Sequence, residues 1–473
     1  MAKLKQPTPL HKMVLNLLIK IVIDYFVKLS SVGSLDDLRR GVAAVKKEIC
    51  SHIPRESSAE FHNRIIETLP YNSGEFHTVT WIFFPESYLN AVLEIVMDVE
   101  IPGLKCEGLI VAGLNPRDAH RLDGLTVLNL SSYLERIPTS FGRFRLQNLT
   151  TFVHREHCTD VDLIVVGRDC PKLETLDVTD SEKVSDRGLQ ALGQCSKLRT
   201  VRVALCRVTN RGIKKLLSDH RNIERLAAWP DNGYDGFNCF SNSDSTKFSS
   251  IINFNVLMKR IRTTHLNTIA DKFPSLTFLG IHGCLVTGYL DPLLSFGKLS
   301  KLDFRAATGW NWPNLIQVLA VIGANVTELK TASNREDSKP ESFVSQSDLD
   351  RVFEYCENVE WLSFDYLLEK DGEELVVPPF PRMMHFHGHV ERKHHVTYKA
   401  LLIFGAMLKL EELLMNGFYI TADFIESIIL DNARFPNLTK IMVPVISGFN
   451  KGYGDIRRIA KENNLDFRIT GVL

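Results

Sequence analysis

The chain has 473 residues, 44% hydrophobic and 24% charged, a make-up of soluble globular proteins and enough for several domains or one long repetitive one. Fifty-six basic and 56 acidic side chains cancel, which removes any bulk electrostatic drive toward nucleic acid or an anionic membrane. Nine cysteines are too few for a disulfide scaffold, and their odd number leaves at least one unpaired.

The N-terminal run "MVLNLLIKIVIDYFV" is broken by Asn16, Lys20 and Asp24, whereas a bilayer span needs about 20 apolar residues. It also lacks the clean apolar core and small-residue cleavage site of a secretory signal. Sequons at Asn129, Asn148, Asn325 and Asn437 point weakly toward secretion, but three of them overlap apolar repeat positions. The expectation is a protein of the cytoplasm or nucleus with reduced thiols. Within residues 1–98, Leu15, Ile19 and Ile23 share one helical face. Leu38, Val42, Val45 and Ile49 share another behind a Ser34 cap, and Ile53-Pro54 then precedes Phe61 and Ile65. Such helices either cap a repeat array or dock a partner.

From residue 99 onward a repeat governs the pattern. Leu125/Leu128/Leu130, Leu149/Phe152/His154, Leu173/Leu176/Val178, Leu198/Val201/Val203 and Ile223/Leu226/Ala228 share one spacing, with leading positions 24, 24, 25 and 25 residues apart. The register continues at Leu276, Leu299, Val326, Val359, Met383, Leu410 and Leu438, with a poor copy placed at Phe248, giving twelve or thirteen units. "VSDRGLQALGQC" and "VTNRGIKKLLSDH" read as capped helices in the second half of two units. A strand and a helix every 24–28 residues cannot bury their own apolar faces, but stacked copies can. The predicted fold is an α/β leucine-rich-repeat solenoid, a curved horseshoe with a parallel sheet on its concave face and helices outside. Segments 229–250 and 333–346 read as inserted loops.

Cys170, Cys195, Cys206 and His220 first suggest a metal site. However, Cys170, Cys195 and Cys356 fall three residues before a leading position, where other units carry His220, Phe273, Phe380 and Phe435. A slot that accepts Cys and Phe alike is a core slot. Cys206 and Cys284 lie eight residues after a leading position, with Asn334 as their counterpart, where a side chain hydrogen-bonds the turn. No metal and no other cofactor are expected. No phosphate loop, nucleophile elbow, zincin helix or kinase signature is present, so an enzyme is not expected.

Residues 170–216 resemble the cysteine-containing leucine-rich repeats of F-box and related ubiquitin-ligase substrate receptors, C-x-x-L-x-x-L-x-L-x-x-C-x-x-[VI]-[TS]-D-x-G-[LI]-x-x-L. Ser181 replaces one cysteine of that pattern and Asn210 one aspartate. The resemblance implies a substrate-recognition subunit of a cullin-RING ligase, with an adaptor-binding box before the repeats. Leu15, Ile19 and Ile23 are similar to an Elongin-BC box, with Ile19 where that box often has Cys, and Ile53-Pro54 to a cullin box. An F-box is the rival, although its early Leu-Pro start is absent. The implied partners are a protein substrate, a cullin, and Elongin B/C or the F-box adaptor.

The strand register sends Arg202, Arg225, Trp229, Phe278, His282, Lys301, Asp303, Arg305, Trp361, Asp365, His385 and His387 to the concave face, where a partner would bind. His385, His387 and His389 alternate and project together, a row able to take a metal or to sense pH. A solvated polar strand is the simpler reading, because no carboxylate or cysteine is placed to complete a metal's ligand shell. Two alternatives remain: a repeat scaffold without a ubiquitin link, and a receptor for a small ligand or metal at the histidine strand.

Overall fold

A computed structural model of the chain describes residues 125–130, 146–228, 246–331 (except 257–259, 283–284 and 306), 343–368, 375–392, 407–416 and 435–444. It also describes strands at 104–107, 402–404 and 466–470 and residues 44, 458 and 460–462. The candidate adaptor residues Leu15, Ile19, Ile23, Ile53 and Pro54, together with Trp229, Cys284 and Asn334, lie outside the described residues. The chain divides into two compact units, Leu4–Ile223 with Ala228–Asn232, and Glu224–Ala227 with Gly233–Leu473 and Met1–Lys3.

The first unit holds β1 (Leu104–Glu107), β2 (Leu125–Asn129), β3 (Thr151–Val153), β4 (Thr175–Asp177) and β5 (Thr200–Val203). They pair in sequence order, every pair parallel. Helices α1 (Asp160–Asp169), α2 (Asp186–Gln190) and α3 (Asn210–Asp219) follow β3, β4 and β5. In the second unit β6 (Arg225–Ala228), β7 (Asn253–Val256), β9 (Phe278–Ile281), β11 (Lys301–Asp303), β12 (Glu328–Lys330), β13 (Trp361–Leu368), β15 (His385–Arg392), β17 (Glu412–Asn416), β18 (Lys440–Pro444) and β19 (Asp466–Thr470) lie side by side in that order. Two short parallel pairs stand apart: β8 (Arg260–Arg262) with β10 (Leu285–Thr287), and β14 (Leu375–Val377) with β16 (Leu402–Phe404). Helices α4 (Thr263–Lys272), α5 (Trp312–Ile322) and α6 (Gln346–Tyr355) belong to this unit.

One turn recurs through the described repeats. The carbonyl three residues before each leading residue accepts that residue's N–H: Cys170 to Leu173, Cys195 to Leu198, Phe273 to Leu276, Cys356 to Val359, Phe435 to Leu438. Cys170, His220, Phe273 and Cys356 cap their helices with nearly one conformation, φ −118, −120, −122 and −113°. All four side chains are buried, so the slot is defined by backbone geometry and accepts any apolar filling of the right size. The copy placed at Phe248 is corrected by three residues, because Phe248 fills this slot and Ile251 leads. Likewise the loop expected over 333–346 has ended by Val344, which bridges to Tyr366, and Ser345, which caps α6.

The turn after each strand repeats as well. Glu156, Asp180 and Leu205 adopt φ of 68, 63 and 60°. Ser181 donates back to His154 O, and Cys206 to Val178 O at 3.1 Å, so serine does in one unit what cysteine does in the next.

The Asp-x-Gly of the repeat has a packing reason. Asp160 in α1 accepts from Ser185 N and Oγ (2.7 and 2.6 Å) and from Gly188 N of the next unit. Asp186 does the same for Thr209 N and Oγ1. A Cβ on Gly188 would lie 2.5 Å from Asp160 Oδ1, and one on Gly212 2.1 Å from Asp186 Oδ1. Glycine is therefore required where the previous unit's carboxylate caps the next helix. At the next such position stands Asn210, whose Oδ1 is buried without a hydrogen bond.

Gly212→Ala is expected to lower unfolding free energy by about 1–3 kcal/mol, since overpacking against a buried cap costs that much. In urea denaturation the Gly212→Ala/Asp186→Ala double variant should lose less than the two single losses combined, because both act on one contact.

Candidate functional site

Strand residues alternate between core and open face, so each strand's middle leucine, valine or phenylalanine fixes where its neighbours point. Leu279, Leu302, Leu329, Leu362, Phe386, Leu413 and Ile441 are buried. The registers then align Phe278, Lys301, Glu328, Trp361, His385, Glu412 and Lys440 in one cross-strand row. A second row takes Gly280, Asp303, Lys330, Ser363 and His387. Asp365 pairs with His389 beyond it.

These rows are linked by charge and ring contacts. Lys301 lies 3.2 Å from Glu328, which also pairs with Lys330. The Lys330 ammonium sits 3.6 Å above the Trp361 ring, a cation–π contact. On its other side Trp361 meets His385 at 4.6 Å and His387 at 5.3 Å between centroids. Both imidazoles turn toward Glu412, His385 Nδ1 at 3.3 Å and His387 Nε2 at 3.8 Å, while Lys440 bonds the same carboxylate at 2.7 Å. Neither imidazole nitrogen makes a hydrogen bond there, and the Trp361 indole N–H is buried without an acceptor among the described residues. Such groups are unsatisfied donors and acceptors on a face otherwise closed by ion pairs.

Two of the expected partner-binding residues turn inward. Asp303 and Asp365 are 1% and 0% exposed. Asp303 is clasped by Arg305 at 3.0 and 2.7 Å and approached by His282 at 3.7 Å, and Asp365 lies 3.2 Å from His389. Each therefore anchors a more exposed cation or imidazole instead of presenting its own charge. The first unit repeats the device: Asp177, 2% exposed, receives Arg155 at 2.8 Å and Arg202 at 3.4 Å. Arg202, Arg225, Lys301 and Arg305 keep their heads in solvent, while Phe278, His282, Trp361, His385 and His387 are half-buried.

A carboxylate does stand beside the histidine row after all, Glu412 from the next strand. The sequence hid this because the pairing spans 27 residues. Even so, the row does not gather three ligand atoms: His385 and His387 share Glu412 with Lys440, and His389 turns to Asp365. Nor do Cys170, Cys195, Cys206 and His220 converge. Burial pushes the Cys195 thiol up to about 11 and the Cys206 thiol up to about 12, as suits protonated packing groups. Among the described residues the group whose ligand atoms come together is His154, Cys158 and Asp162, which the sequence reading passed over.

Burial lowers the His387 pKa to about 4; Glu412 opposes that shift, while His385, Lys330 and Lys440 reinforce it. Burial raises the Glu412 carboxyl, but the Lys440 ammonium and the imidazoles more than offset this and leave it below its ordinary value. His387 is thus neutral in the folded protein at pH 7. The unfolded chain, with the ordinary value of 6.5, binds a proton first as pH falls. Stability from this group is complete above about pH 6.5 and declines toward pH 4. By pH 5 the loss is about 2 kcal/mol. The urea midpoint of His387→Gln should accordingly fall less between pH 7.5 and 5 than that of the natural chain.

A family model described as Leucine Rich repeat matches residues 169–193 and 194–217. No curated protein matches the chain in sequence. Among solved structures, a leucine-rich-repeat protein of Leptospira interrogans is 13% identical, covering 80% of this chain and 91% of its own, with a TM-score of 0.38. An internalin of Listeria monocytogenes is 14% identical, covering 81% and 94%, with a TM-score of 0.36. Residues 169–217 are two leucine-rich repeats, and the other described repeats of both units carry the same turn, strand and parallel pairing: the architecture is an α/β leucine-rich-repeat solenoid.

Proposed function

We propose that the chain is a protein-binding repeat module whose second unit captures a protein partner on the open sheet face. The observation that carries this is Trp361, set between Lys330 and the His385/His387 pair on that face. Tryptophan held between one ammonium and two imidazole rings has the composition and fixed geometry of a binding hot spot. Parallel repeat sheets present such faces as extended binding surfaces. Alternating Lys301, Glu328, Lys330, Glu412 and Lys440 suits a partner of mixed charge better than a polyanion.

The finer reading is a substrate-recognition subunit of a cullin-RING ubiquitin ligase. It is supported by the likeness of residues 170–216 to the repeats of such receptors and by the Leu15/Ile19/Ile23 and Ile53-Pro54 patterns. In this reading the N-terminal residues engage Elongin B/C or the F-box adaptor, and transfer chemistry belongs to the other subunits.

The full chain, expressed with either adaptor, should co-purify with one of them, and Leu15→Arg/Ile19→Arg should break that association. Co-purification with neither removes the ligase reading. Independently, Trp361→Ala should reduce capture of the bound protein about 30-fold, the loss of a hot spot worth roughly 2 kcal/mol, with an unchanged circular dichroism spectrum. Undiminished capture would remove the face assignment.

A further inference from the structure

In the first unit two core positions carry residues that neighbouring repeats do not use. His154, just after β3, occupies the slot that Val178 fills after β4 and that Val203 fills at the end of β5. Cys158 precedes the cap Thr159 in the slot that Val184 and Val208 fill before Ser185 and Thr209. All six side chains are buried, with 0–1% exposure. Replacing two packed valines by an imidazole and a thiol puts polar atoms where the repeat needs none. Moreover, both ring nitrogens of His154 are buried without any hydrogen-bond partner. Its visible contact is the edge of the Phe152 ring, 6.2 Å between centroids. Buried imidazoles ordinarily find a partner, so this one needs an explanation.

Asp162 supplies the third group. In the capping box of α1 its Oδ2 accepts from Thr159 N and Oγ1, both at 2.8 Å, and among the described residues no hydrogen bond reaches its Oδ1. One nitrogen of His154, the Cys158 sulfur and one Asp162 oxygen all lie within 4.8 Å of one another. A tetrahedral zinc ion holds such atoms about 3.3–3.8 Å apart, so closing around the ion takes a shift of about an ångström. Asp162 is half-buried while the other two are sealed, which leaves its side as the way in.

We propose that His154, Cys158 and Asp162 form a zinc site at the β3–α1 corner, bound through an imidazole nitrogen, a thiolate and a carboxylate oxygen, with water in the fourth position. The mixed nitrogen, sulfur and oxygen set is one that zinc accepts and that magnesium or calcium does not. Binding expels the Cys158 thiol proton to solvent, against the burial that raises this thiol well above its ordinary value, so binding tightens as pH rises. Ser181 holds the cradle from the next repeat, accepting from Cys158 N and donating to His154 O, both at 3.2 Å.

The test uses the full chain, purified under reducing conditions, stripped with chelator and titrated with Co²⁺ and then Zn²⁺. One equivalent of Co²⁺ should give a thiolate-to-cobalt charge-transfer band and the visible absorption of a tetrahedral ion, both bleached by Zn²⁺. Asp162→Asn should weaken Zn²⁺ binding at least tenfold. His154→Val/Cys158→Val restores the residues of the neighbouring repeats, so it should fold with an unchanged circular dichroism spectrum and bind no Co²⁺ through sulfur. Absence of the charge-transfer band in the natural chain, or its persistence in the double valine variant, would overturn the assignment.

Discussion

Within each unit, described repeats are fastened to their neighbours by one carbonyl that accepts two successive N–H groups. Glu174 O takes Arg199 and Thr200, Thr327 O takes Glu360 and Trp361, Glu360 O takes Met384 and His385, and Glu411 O takes Thr439 and Lys440. This clasp fixes strand register, and register in a parallel sheet decides which side chain faces which. A slip of one residue would exchange core and face throughout the strand. Alignment of Trp361 with His385, and of His385 with Glu412, is therefore a backbone property before it is a side-chain one.

The same constraint explains what the sequence displayed. Buried middle positions such as Leu176, Val201 and Leu362 recur because the clasp returns them to one core, and their spacing makes the repeat visible. The Cys/His/Phe slot was legible for the same reason: a fixed cap conformation demands bulk, not chemistry. β1 and β19 were not anticipated, since their sequences do not carry the leading-residue spacing, and the β8–β10 and β14–β16 pairs lie outside the repeat's strand positions altogether. The Asp-x-Gly signature was readable as a pattern, but its cause was not. Only coordinates reveal that the glycine makes room for the preceding unit's carboxylate.

The open face was legible in part. Outward positions follow from inward ones, and Arg202, Lys301 and Arg305 are exposed while Trp361 is half-buried. Sequence could not reveal that Asp303 and Asp365 sink beneath Arg305 and His389, because pairing between a strand's last residue and the turn after it, or across neighbouring strands, depends on rotamers. Burying each carboxylate under a cation or imidazole is affordable only because the partner stays in place. Removal of one member leaves an uncompensated buried charge, far costlier than loss of an exposed ion pair. These aspartates thereby stiffen the face and hold its more exposed groups in fixed positions.

A register this strict also makes departures from it informative. Where neighbouring units agree on valine, a histidine or cysteine cannot be ascribed to the demands of the fold, since the fold is met without them. His154 and Cys158 are such departures, and they occur in the same unit, four residues apart, on either side of one turn. By contrast Ser181 and Cys206 also differ from each other, but both donate to the carbonyl of the preceding unit, so their variation is absorbed by a shared hydrogen bond. Polar substitution in a repeat core is thus of two kinds. One keeps the architecture's own hydrogen bond with a different donor; the other, as at His154, leaves buried ring nitrogens that the architecture does not satisfy, while among the described residues the Cys158 thiol reaches only the carbonyl of the adjacent Thr159.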